Sequence, residues 1–168
     1  SLFPKNFTFT LSGRAALYLI IIYLKKKGVK KALIPYLICK SIRLVLKKEG
    51  IKIIYYDINK NFEPIINKEF RGSNIMILIN HYFGLRCKSL KKIENIKKQS
   101  SYIIEDLSHL YFKKNIFNNK NFKFASLRKT GIFPIGGWAN IQSNENKKKN
   151  IKKYLIKKKI IYYKFKKF

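Results

Sequence analysis

Uninterrupted apolar runs of strand length alternate along this chain with amphipathic helical segments, and that alternation limits the fold more than any other feature. "LSGRAALYLIIIYLKKKG" predicts a helix that starts after Ser12 as N-cap and stops at Gly28. "KALIPY" reads as a short buried strand ended by Pro35. "CKSIRLVLKKEG" is amphipathic, with Ile42, Val45 and Leu46 on one face and Gly50 closing it. "IKIIYYDI" and "NIMILIN" are β-branched runs of strand length, and residues 59–73 between them carry no strong period and read as a connection. "KSLKKIENIKK" sets Leu90, Ile93 and Ile96 three apart with lysines outward, a surface helix. A strand "SYIIED", a short helical stretch and a last apolar segment "FKFASL" follow. Continuous apolar strands between amphipathic helices imply a three-layer α/β/α arrangement, with a mostly parallel sheet covered on both faces. In such sheets ligands bind at the carboxyl ends of the strands.

The 168 residues suffice for one domain with a real core. Its most apolar stretch, "AALYLIIIYL", is ten residues long, too short to span a bilayer, and lacks the flanks of a signal peptide. Cys39 and Cys87 stand far apart with no CxxC pair, which argues against a zinc ribbon and against a disulfide-stapled secreted fold. A reducing cytoplasm is the expected location. The chain opens on Ser1 rather than Met, so its N-terminal end is read as open. The formal charge of +30 points first to nucleic acid or an anionic membrane. However, Lys, Ile, Asn, Phe and Tyr make up 99 of the residues, all with A/T-rich codons, so base composition accounts for the lysines without a polyanionic partner. No nucleic-acid recognition motif accompanies the charge. Residues 141–168, with eleven lysines and one acid, read as a lysine-rich tail after a domain over 1–140. That tail is either a basic interaction segment or a degraded continuation of an A/T-rich gene.

Three places carry chemistry. Ser12-Gly13-Arg14 lies at a helix start, where main-chain amides and the helix dipole favour an anion; a plain N-cap is the alternative. Asp106 ends an apolar strand, and a carboxylate there needs donors or a cation, either a lysine in a structural ion pair or a protonated ring nitrogen. His109 lies about one turn further on, able to face the same crevice, while Glu105 on the opposite side of the strand reads as a surface or packing residue. Third, "FASLRKTGIFPIGG" follows a strand end at Ser126 and Leu127 with Lys129. Lysine can form a Schiff base with an aldehyde, although in a chain with 33 lysines an ordinary surface role competes. An anion-binding helix start, an aspartate for a ring nitrogen and a lysine for an aldehyde together suit pyridoxal phosphate.

In order and wording these segments resemble the DegT/DnrJ/StrS family of sugar aminotransferases, within the fold type I group of pyridoxal-phosphate enzymes. "SGRAAL", "ALIPYLICKS", "IIYYDINKNFEP", "ILINHYFG", "YIIEDLSH" and "SLRKTGIFPIGG" carry the resemblance, from about residue 8 to 138. The resemblance implies the family's large domain, with Lys129 as Schiff-base lysine and proton shuttle. By the same likeness Asp106 holds the pyridine nitrogen and His109 lies against the cofactor. Ser12, Gly13 and Arg14 would bind its phosphate, with Ser126 as helper. The resemblance further implies a homodimer that moves an amino group from a donor such as glutamate to a nucleotide-linked keto sugar. Arg14 replaces the family's usual small hydroxyl residue, Ser126 stands three rather than five before the lysine, and the ring-stacking position after Pro35 offers only Tyr36 and Cys39. The family's small C-terminal domain has no counterpart here, so a truncated enzyme, a non-catalytic remnant and a basic nucleic-acid-binding protein are the rival expectations.

Overall fold

A computed structural model describes residues 7–66, 74–96, 101–110, 120–130 and 134–141. Beyond residue 141 the expected lysine-rich tail lies outside the described residues, as do residues 111–119 of the segment expected to turn helical after Asp106, and the side chain of Ile96. In chain order the elements are β1 (Thr8–Thr10), α1 (Gly13–Lys26), β2 (Lys31–Pro35), α2 (Lys40–Lys48), β3 (Lys52–Ile58), β4 (Pro64–Ile65), β5 (Ile75–Asn80), α3 (Leu90–Ile96), β6 (Tyr102–Asp106), β7 (Phe122–Ser126) and β8 (Gly137–Ala139). Among the described residues no helix is long and apolar enough to cross a membrane.

All eight strands join one sheet in the order β1-β8-β7-β6-β5-β2-β3-β4. The central strands β3, β2, β5, β6 and β7 pair in parallel, and antiparallel pairs close both edges. Side-chain alternation sorts the core into two layers. Ala32, Ile34, Met76, Leu78, Ile104 and Phe124 point to one face, where they meet Leu17, Ile20, Ile21 and Leu24 of α1 and Ile42 and Leu46 of α2. Leu33, Ile75, Ile77, Ile79 and Ile103 point to the other, against Leu90 and Ile93 of α3. Strands buried on both faces need apolar side chains at every position, which is why their sequences read as continuous runs.

The helix ends follow local rules. Ser12 caps α1, its hydroxyl accepting the Ala15 N–H at 3.2 Å, and Gly28 (φ +84°) ends the helix in the left-handed region. One expectation needs correction. The stretch over 59–73, read as a connection without a strong period, holds β4, which pairs antiparallel with Asp57 and Ile58. At the other edge β8 joins β7 to β1.

The α1 face generates a stability prediction. Ile20 is fully buried, and Ile20→Ala should cost about 2–5 kcal/mol through lost burial and a residual cavity. The denaturant midpoint should fall with its slope unchanged. Leu44→Ala, at a side chain 53% exposed, should stay within about 0.5 kcal/mol of the parent.

Candidate active site

Strand order reverses between β2 and β5: β3 lies to one side of β2, and β6 and β7 lie beyond β5 on the other. At such a switch point the connections leave in opposite directions and open a crevice at the carboxyl ends of the strands. The connections after Pro35, Asn80, Asp106 and Ser126 are among those that begin at this edge.

Asp106 closes β6, opposite Asn80 on β5 and Phe124 on β7, and is 5% exposed. Its Oδ1 accepts the Ser108 N–H at 2.9 Å. Among the described residues no lysine or arginine forms an ion pair with it. Ser108 in turn accepts the Ser126 N–H at 3.0 Å, which binds the turn after β6 to the end of β7. Lys129 follows on the 3-10 turn Leu127–Thr130, and its Nζ lies 2.8 Å from His109 Nε2. An ammonium only donates, so Nε2 accepts and the ring hydrogen sits on Nδ1. Burial and then the Lys129 charge hold the His109 imidazole below its usual range, with Asp106 opposing. The crevice therefore carries an amine, an imidazole acceptor and a buried carboxylate within one electrostatic neighbourhood.

The start of α1 reaches the same edge. A Cβ on Gly13 would lie 2.8 Å from Ser126 Cβ, and one on Gly137 would lie 2.5 Å from Gly13 N and Ser12 C. Only glycine at both positions allows the helix start, the end of β7 and β8 to approach this closely. A parallel bridge between Ser12 and Gly136 and the Leu127 N–H bond to the Gly136 carbonyl at 3.0 Å complete the junction. Ser12 Oγ serves Ala15 and the Ser12 carbonyl serves the Ala16 N–H, so the Gly13 and Arg14 amides have no acceptor inside the helix. Such amides at the positive end of a 14-residue helix suit an anion.

Of the two readings left open for Glu105, surface or packing, the structure shows the interior one: the residue is 1% exposed, on the α3 side of the sheet. His81 Nε2 lies 2.9 Å from its Oε2, and Asn121 Nδ2 donates to Oε1 at 3.0 Å, with Lys123 Nζ 3.6 Å from that oxygen. Burial pushes this carboxyl up, but the His81 bond, the Lys123 charge and the Asn121 amide outweigh it, leaving it below the ordinary glutamate range. A period-two reading put Glu105 opposite Asp106, but in a sheet covered on both faces the opposite side is also interior.

Among the residues singled out from sequence, the structure joins Lys129 to His109 by a hydrogen bond, Ser126 to the turn that holds Asp106, and Gly13 to Ser126 by contact. Arg14 is exposed on the first turn of α1 and makes no hydrogen bond to the others among the described residues. Two further residues lie within electrostatic reach of the site: Cys39, weighed from sequence only for the ring-stacking position, and Tyr82, which was given no role. Cys39 has its thiol held below the ordinary range by the Ser41 hydroxyl and amide, with burial opposing; the charges of Lys129 and Asp106 both reach it. The Tyr82 phenol is pushed up by burial and by Asp106, against the Asn80 side chain. The usable signal was position alone, since each follows a strand end at the carboxyl edge.

No family model matches the sequence, and no curated protein is significantly similar to it. Solved structures share the fold. AtS13 from Actinomadura melliaura superimposes with a TM-score of 0.65 at 15% identity, over 83% of this chain and 42% of that protein. Spr1654 from Streptococcus pneumoniae, a candidate sugar aminotransferase in its PMP form, gives 0.64 at 19% identity, over 83% and 41%. NtdA from Bacillus subtilis with bound cofactor PMP gives 0.70 at 18% identity, over 86% and 35%. The chain shares with these solved structures a mixed α/β fold, here with a mostly parallel eight-stranded sheet. It spans about two fifths of the first two proteins' lengths, 42% and 41%.

Two measurements check the electrostatics of this region. Burial and the Glu63 carboxylate push the Cys87 thiol up to about 12. A neutral-pH alkylating reagent should therefore modify exposed Cys39 and leave Cys87 untouched until the protein unfolds. For Glu105, whose folded pKa lies below its ordinary 4.5, the stabilisation is complete above that pH and is lost as pH falls through the folded value. Glu105→Gln should lower stability at neutral pH and flatten the acid limb of the stability–pH curve.

Proposed function

We propose that this chain forms the cofactor-binding large domain of a pyridoxal-phosphate-dependent aminotransferase of the DegT/DnrJ/StrS sugar type. On this reading it transfers an amino group from a donor such as glutamate to a nucleotide-linked keto sugar, in polysaccharide or glycan synthesis. The observation that carries the reading is Asp106: a buried carboxylate with a main-chain donor and no lysine or arginine ion pair among the described residues, beside a lysine amine in contact with histidine. The aminotransferase fold of the solved structures supports it.

The donor set fits the cofactor. Pyridoxal phosphate supplies an aldehyde that links to amines and a pyridine ring that withdraws electrons when its nitrogen is protonated. Asp106 would keep the proton on that nitrogen, since a desolvated carboxylate is best neutralised by a bonded cation. Lys129 Nζ would anchor the aldehyde carbon and, once released, carry a proton to and from the substrate carbon. His109 accepts the Lys129 hydrogen bond and would lie against the ring, restraining the amine's approach. The Gly13 and Arg14 amides, with the hydroxyls of Ser12 and Ser126, would receive the phosphate at the glycine-crowded start of α1. A cytoplasmic homodimer, with a cofactor domain over 1–140 and a basic tail over 141–168, belongs to the same reading.

The purified protein mixed with pyridoxal phosphate should develop a visible absorption band, and Lys129→Ala should abolish it. Asp106→Ala should keep some phosphate-directed affinity while weakening binding at least about tenfold, a loss typical of one charge-assisted bond. A wild-type protein that stays colourless at saturating cofactor overturns the proposal. Amino transfer from glutamate to nucleotide-linked keto sugars then tests the substrate class.

A further inference from the structure

His81 is fully buried and held by three polar contacts. Its Nδ1 accepts the Cys87 N–H at 3.0 Å, which puts the ring hydrogen on Nε2, and Nε2 donates to Glu105 Oε2 at 2.9 Å. Its own main-chain N–H donates to the Asp106 carbonyl at 3.3 Å. One side chain thus ties the connection after β5 back to β6, one residue from the candidate site's carboxylate. The residues that follow His81 are those that face the crevice. The Tyr82 hydroxyl donates to the Leu37 carbonyl, in the loop that leads to Cys39. Gly84 lies against His109, with 3.2 Å between the His109 carbonyl oxygen and the place a Cβ would take. From the other side Glu63 accepts the Lys88 and Ser89 N–H groups at 3.0 and 2.9 Å, so the loop is closed at its far end too.

We propose that His81 is a positioning residue: its ring clamps the loop over 81–87 to β6, so that Tyr82 and Gly84 form a fixed wall beside Asp106 and His109. The clamp is a property of the protein without cofactor; its effect on the cofactor nitrogen rests on the function proposed above. Buried Glu105 supplies the anchor, which explains why two carboxylates stand side by side at the end of β6: Asp106 faces the crevice and Glu105 holds the crevice wall.

The test uses His81→Asn, whose carbonyl can still answer the Cys87 N–H but falls short of Glu105, and His81→Gln, which reaches Glu105 and leaves Cys87 unanswered. Ile20→Ala serves as a control destabilised elsewhere. In the cofactor-free protein, hydrogen exchange over 82–87 should rise at least about tenfold in both His81 variants while β5 amides keep their protection, the signature of local opening. With saturating pyridoxal phosphate, the pH midpoint of the visible band should move by about one unit in both and stay fixed in Ile20→Ala. Unchanged exchange over 82–87, or an equal rise throughout the sheet, overturns the clamp. A loosened loop with an unmoved midpoint overturns the positioning role. If wild type binds no cofactor, the proposed function fails and exchange alone decides the clamp. Should neither His81 variant fold, Glu105→Gln, which keeps an acceptor but removes the charge, should give the same changes in smaller measure.

Discussion

A carboxylate inside a sheet covered on both faces must be answered by donors at fixed positions, and Glu105 is such a group. Its oxygens meet the His81 ring, the Asn121 amide and the Lys123 ammonium, contributed by the connection after β5 and by residues in and beside β7. Left unpaired, a charge at this depth would be strongly destabilising. The network therefore fixes how the ends of β5 and β6 lie against the start of β7. Asn140 extends it, accepting the Lys123 N–H at 2.6 Å and donating to the Asn121 carbonyl at 2.8 Å, which reaches the residue just past β8. The edge from which Asp106, Ser126 and Lys129 emerge is thus organised from beneath by charge, while the layers above and below are organised by apolar contact.

Acidic residues are few here, eight against 38 lysines and arginines, and where they sit is informative. Glu63 gathers main-chain N–H groups at the start of α3, and Glu94 accepts the Asn121 amide at 2.6 Å. Glu105 and Asp106 stand together at the end of β6. Half of the acids thus surround one end of the sheet. A basic surface that tolerates lysine nearly everywhere coexists with a small interior region where negative charge and its partners are specified.

Much of the fold was legible in the sequence because the central strands are apolar on both faces and the helices carry clean stripes. α1, with Ser12 before it and Gly28 after it, matches its expected limits closely. What escaped reading were elements whose cause is remote in sequence. β1 is three residues of Thr-Phe-Thr that become a strand only by pairing with Trp138 and its neighbours, and β4 is two residues next to a proline. Neither has a period long enough to detect. The same limit applies to the site. Strand ends could be located, and with them Asp106 and Lys129, but the contact between Lys129 and His109 depends on how two connections fold over the edge. Surface and interior stayed open for Glu105 because alternation separates the two faces of a strand without saying which meets water.

The junction of α1 with β7 and β8 has an evolutionary corollary. The Gly13 and Arg14 amides at this junction belong to the main chain, so exchange of the side chains around them leaves those groups in place. In a sequence this rich in lysine and asparagine, the corner is coded by two missing carbon atoms, at Gly13 and Gly137. It can persist through long divergence and would be closed by a single added methyl group.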